Sequence, residues 1–187
     1  MTPTLWQRYT NEKSYFCRLQ IDMLSGFLSG DAKAGGGEPQ LQALAHSTTL
    51  LLFEAWRGLI NEIAAGLKVP KRHYETLEQI RRELSHDFSE ITFLLELASC
   101  PGSWVNEVVF LHGQVTSPAS RKPSDGGLEV DSELQSSLIA TSASMGVAGT
   151  NSVDTPQNFN DWRDRLQTAL AELNRHKQQL RENNQEY

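Results

Sequence analysis

The stretch that decides the fold is residues 40–67, QLQALAHSTTLLLFEAWRGLINEIAAGL. Its apolar members Leu41, Leu44, Ala45, Thr48, Leu51, Leu52, Ala55, Leu59, Ile63 and Leu67 recur at steps of three and four. That spacing draws one continuous stripe on an α-helix and cannot sit on one face of a strand. The helix is bounded by Pro39 on one side and Lys68-Val-Pro70 on the other. Proline is tolerated in a first helical turn and breaks an interior, so both boundaries are sharp.

The rest of the chain follows the same rule. Prolines at 3, 39, 70, 101, 118, 123 and 156 leave 4–38, 40–69, 71–100 and 102–117 free of them. In 4–28 the residues Leu5, Tyr9, Phe16, Leu19, Met23 and Phe27 step by three and four, which predicts a helix with that line as its apolar face. The Gly30–Pro39 stretch, with its Gly35-Gly-Gly37 run, ends it. In 71–100 the spacing predicts two helices, one carrying Tyr74, Leu77, Ile80 and Leu84, the next Phe88, Ile91, Leu94, Leu95 and Leu97. Ser85-His-Asp87 offers capping side chains between them. Ser103 is placed to cap a short helix with Trp104, Val108, Leu111 and Val115.

Residues 116–155 contain none of the chain's Phe, Tyr or Trp, and they hold half of its net charge of −6. Too little apolar surface is present to offset the ordering entropy, so a flexible acidic linker is expected, with Leu138-Ile139-Ala140 as its one apolar spot. A last helix is expected to open at Thr155-Pro156. Its seam, Phe159, Trp162, Leu166, Ala169, Leu173, His176 and Leu180, is a heptad pattern of about three repeats. Beyond Arg175 the sequence is mostly polar, and fraying is expected.

The reading is an all-α antiparallel bundle of five to six helices. Residues 1–115 form the bundle, 116–155 the linker, and 156–187 a heptad helix that packs back on it. The acidic balance, with a pI near 5.4, argues against nucleic acid or an anionic membrane as the main partner. No run approaches the roughly 20 apolar residues of a membrane span, and 1–15 has no secretory character. A cytoplasmic protein is expected, with Cys17 and Cys100 reduced and no disulfide framework.

Candidate chemistry is sparse. Glu83-Leu-Ser-His86 has the Glu-x-x-His spacing of carboxylate-bridged metal bundles, but those need two copies and two further glutamates. It reads as a solvated helix end. Lys68, Lys71, Arg72, His73, Arg81 and Arg82 make a basic stretch, yet Glu75, Glu78 and Glu83 interleave with it as helical pairs. Gly35-Gly-Gly37 lacks the Gly-Lys-Ser/Thr of a phosphate loop. Glu54, Arg57 and Glu62 punctuate the apolar second helix as an exposed edge or an internal ion pair. Trp6, Trp56, Trp104 and Trp162, on four different helices, read as core anchors, any of which can instead serve a partner surface. Both cysteines read as buried, inert thiols. No catalytic, cofactor or metal residue is assigned.

Arg81 and His86, five apart, resemble the Arg-x4-His element of the helical nuclease domains found in toxins and defence systems. In those domains the pair activates a ribose hydroxyl and stabilises the phosphate. This supplies an alternative function, an RNA- or nucleotide-acting enzyme. The leading expectation is a non-enzymatic protein-interaction module, with a protein partner or a second copy engaged through the C-terminal helix.

Three further segments carry a resemblance over most of the chain outside 116–155: Tyr9-Thr-Asn-Glu-Lys-Ser-Tyr-Phe16, Glu96-Leu-Ala-Ser-Cys-Pro-Gly-Ser-Trp104 and Trp162-Arg163, with Asn61-Glu-Ile-Ala64 beside them. In order and spacing they are similar to an uncharacterised family of short helical proteins from Pseudomonas and related gammaproteobacteria, known only as a domain of unknown function. The resemblance implies a helical fold and a bacterial cytosolic origin. It transfers no catalytic residue.

Overall fold

A computed structural model of the chain describes residues 2–30, 37–69, 73–117, 156 and 158–183. Six helices and no strand occur among the described residues. In chain order they are α1 (Leu5–Leu28), α2 (Glu38–Gly66), α3 (Leu77–Glu83), α4 (Ser89–Ser99), α5 (Trp104–Thr116) and α6 (Phe159–Asn183). The expected linker lies outside the described residues from 118 to 155, as do Leu138–Ala140, Gly35, Gly36, Lys71 and Arg72.

The helix ends follow capping chemistry. Thr4 opens α1 with a reciprocal pair: its hydroxyl accepts the Gln7 N–H at 3.2 Å, and the Gln7 side chain accepts the Thr4 N–H at 2.8 Å. Gly37 caps α2, with Pro39 in its first turn. Ser103 caps α5, its hydroxyl accepting the Asn106 N–H at 3.1 Å.

One expected cap is not used, and the other, Thr155, lies outside the described residues. Asp87 does not cap α4; its carboxylate lies 3.7 Å from Arg81, and the helix opens at Phe88 without a side-chain cap. The start of α6 is three residues later than expected. Asn158 accepts the Asp161 N–H at 3.0 Å there, so the capping side chain is an amide beyond Pro156.

The central helix is α2. Leu52, Ala55, Trp56, Leu59, Ile60 and Ile63 are buried on it, and α1, α5 and α6 pack around it. The heptad members Leu166, Ala169 and Leu173 are buried with Leu170 in contacts to α1, α2 and α5. The Trp162 indole N–H donates to the Thr49 hydroxyl at 3.0 Å, and Trp56 meets Trp104 edge-on at 5.3 Å. The helix α6 runs on past Arg175 to Asn183, and residues 184–187, at the end where fraying is expected, lie outside the described residues. Arg181 reaches the buried Glu62 carboxylate, which holds the last turns down.

The first helix departs from the sequence reading. Its buried face is Thr10, Ser14, Cys17, Ile21 and Leu24, not the apolar line through Phe16, Leu19 and Met23. The cause is a close crossing with α2. A Cβ added at Gly58 would meet the Thr10 hydroxyl at 2.7 Å and the Thr10 Cα at 3.3 Å. Thr10 sits with its backbone close to Gly58 and the Tyr9 ring at the edge of the crossing, so the small-residue face turns inward and Leu5, Phe16, Leu19 and Met23 turn outward.

Candidate functional site

The outward face of α1 is the feature that packing leaves unexplained. Leu5 is 69% exposed, Met23 55%, and Phe16 and Leu19 41% each. These positions, with Tyr9 and Glu12, alternate steps of four and three along the helix. They therefore form one line about 27 Å long at 1.5 Å per residue. Tyr15 is also exposed and lies beside the line, with the Arg18 guanidinium 5.4 Å from its ring centre.

One edge of this face is held by a polar network. The Tyr9 hydroxyl donates to Glu54 Oε2 at 2.6 Å, and Arg57 donates to Glu54 Oε1 at 2.8 Å. Burial and the neighbouring carboxylate push the Tyr9 phenol up to about 12. Burial opposes ionisation of Glu54, but the Tyr9 hydroxyl and Arg57 outweigh it and hold its carboxyl below the usual range. Lys13 sits 5.0 Å over the Tyr9 ring and bonds Glu12 at 3.1 Å. Arg57 also reaches the His73 ring at 3.2 Å. Glu54 and Arg57 thus form a part-exposed ion pair at the edge of α2, and the Glu54 carboxylate holds the Tyr9 hydroxyl.

Beneath His73, the Asn61 side chain is clamped on the backbone of Tyr74. Its carbonyl accepts the Tyr74 N–H at 2.6 Å, and its amide donates to the Tyr74 carbonyl at 2.8 Å. Sequence reasoning gave Asn61 no role. A lone buried-face amide in a helix is the signal that pointed to one.

A cleft of about 600 Å³ lies between the α4–α5 turn and α6. Phe93, Leu97 and Trp104 give it an apolar wall. Its His176 and Arg165 are partnered. His176 bonds Glu90 at 2.5 Å, and Arg165 lies 3.0 Å from Asp161 and 3.4 Å from Glu107. Burial pushes the Glu107 carboxyl up against the pull of Arg165. The His176–Glu90 pair ties α6 to α4, and the Arg165–Glu107 pair ties it to α5.

The residues singled out by motif do not converge. Arg81 and His86 are both exposed, on α3 and in the bend after it, and neither lines the cleft. Glu83 is exposed with them, and no group of three or more candidate metal ligands occurs among the described residues. Cys17 is buried, as expected; Cys100 is exposed, against expectation, because it falls in the turn after α4. No described helix is long and apolar enough to cross a membrane.

Among the described residues, fold and surface together define a helical bundle with an exposed apolar line along α1. The chain belongs to the family of unknown function DUF6586, whose model matches residues 1–187. The expected membership of an uncharacterised domain family therefore holds. No curated protein and no solved structure matches the chain.

Proposed function

We propose that the protein is a non-enzymatic protein-interaction module that docks through the outward face of α1. The observation that carries this reading is the exposure of Leu5, Phe16, Leu19 and Met23 on one helix face. Single exposed apolar residues are ordinary, whereas a contiguous apolar stripe is a mark of a contact surface. The reading moves the docking element from α6, whose seam is occupied by its own bundle, to α1. It keeps the cytoplasm as the compartment, where the exposed Cys100 thiol stays reduced. The alternative of an RNA-acting enzyme lacks comparable support, since Arg81 pairs with Asp87 at 3.7 Å, both Arg81 and His86 are exposed, and neither lines the cleft between α4, α5 and α6.

A photo-crosslinking amino acid at Leu19 tests the proposal in cells. It is expected to trap a polypeptide, either another protein or a second copy. The same group at Arg82, exposed on α3, is the control. Equal yields at the two positions, or none at Leu19, overturn the reading.

A further inference from the structure

We infer that the occupant of the α1 face is the same face of a second copy, the two helices running antiparallel; this rests on the reading of α1 as a docking surface. The line on α1 has two registers. Tyr9, Phe16 and Met23 repeat every seven residues, and so do Leu5, Glu12 and Leu19. In an antiparallel heptad pair, members of one register face members of the other. One alignment satisfies every position. Leu5 meets Met23 of the second copy, Tyr9 meets Leu19, and Glu12 meets Phe16, each contact occurring twice about a two-fold axis near residue 14. Such self-complementarity is what a two-fold interface requires.

Charge selects the orientation. Arg8 and Asp22 each precede a member of the first register by one residue, so they lie on the same flank of α1, with Tyr15 between them. Both are exposed, and neither makes an ion pair among the described residues. Like flanks face each other in an antiparallel pair, which sets Arg8 against Asp22 of the second copy, twice. A parallel pair instead sets Arg8 against Lys13 of the second copy, twice, and like charges repel; the antiparallel pair brings only the two Lys13 side chains together, once, on the other flank, each already bonded to its own Glu12. Glu12, the one polar member of the line, falls at the centre with its carboxylate already bonded to Lys13 at 3.1 Å. A single polar residue in a seam fixes register at a cost in stability.

The size sets the strength. A seam one helix wide and about 27 Å long falls at the small end of specific interfaces, below about 1,200 Å² in total. A micromolar dimer is the expected result, one that forms and separates within an ordinary concentration range.

Light scattering on the full chain, from about 1 to about 200 µM, reads this directly. The mass is expected to climb from 20.9 kDa towards twice that value. Phe16→Glu is expected to hold the chain monomeric throughout with its helical circular dichroism unchanged, because Phe16 lies outside the core. Arg8→Asp and Asp22→Arg are each expected to weaken the dimer about tenfold, and the two together to restore it. A monomer at every concentration overturns the inference. So does a double exchange no stronger than either single change. If the chain is monomeric but Leu19 crosslinks to a different protein, the second copy is wrong and the docking face stands.

Discussion

Arg181, near the end of α6, holds Glu62 of α2 through two nitrogens, at 2.6 and 2.8 Å, while a third reaches the Asn11 side chain of α1 at 3.0 Å. One guanidinium joins three helices. The Glu62 side chain is only 6% exposed, so removing its partner leaves a carboxylate with little water to replace it. Arg181→Ala is expected to destabilise the fold by about 3 kcal/mol in urea titration. The paired change Glu62→Gln with Arg181→Met is expected to cost less than Arg181→Ala alone, since no buried charge is then stranded.

The Asn61 clamp on Tyr74 predicts a local effect. Asn61→Ala removes both bonds and leaves a buried backbone N–H without its acceptor. A loss of about 2 kcal/mol is expected. Hydrogen exchange is the sharper readout. Amides of residues 73–80 are expected to lose protection ahead of those in α2.

Gly58 predicts a sign. An exposed helical glycine gains stability on conversion to alanine, by up to about 1 kcal/mol. Here the new methyl would lie 2.7 Å from the Thr10 hydroxyl and 3.1 Å from the Tyr9 ring. Gly58→Ala is therefore expected to lose about 1–3 kcal/mol. The change Gly58→Ala with Thr10→Ala is expected to recover part of it.

Alkali is expected to weaken the protein. Burial pushes the Cys17 thiol from its ordinary 9.0 up to about 12, and Tyr9 rises from 10.0 to about 12. Both groups keep a proton in the folded chain that the unfolded chain has released, so stability falls as pH rises through 9 and above. Lys177, lowered by burial and by Arg181 from 10.5 to about 8, acts in the opposite sense between those values. Melting temperatures between pH 8 and 11 are expected to fall in the upper part of the range, and Cys17→Ala to flatten that fall. At neutral pH the exposed Cys100 is expected to react with a thiol reagent at once, and Cys17 only on unfolding.

Periodicity and proline placement sufficed for the helices, because both are local properties of backbone and side chain. The stripe on α2, the break between α3 and α4, and the seam of α6 were all legible this way. Which face of α1 turns inward was not. Its apolar line is the stronger local signal, but burial was decided by the close approach of Thr10 to a glycine 48 residues past it. A parallel line of Thr10, Ser14 and Cys17, spaced four and three, was the available clue. The ion pairs across the bundle were equally hidden. Glu62 and Arg181 are 119 residues apart, and nothing local marks them as partners.

That separation orders the assembly of the chain in time. The α1–α2 hairpin joins neighbours in sequence, so its contacts carry a small loop-closure cost and form early. Closing α6 onto α2, where Trp162 meets Thr49 across 113 residues, waits for a far larger loop. Substitutions at Leu166, Leu173 or Arg181 are accordingly expected to quicken unfolding, whereas those at the Gly58 crossing slow refolding. The last helix acts as a latch on a hairpin already formed, and the lifetime of the native state is set by how firmly it closes.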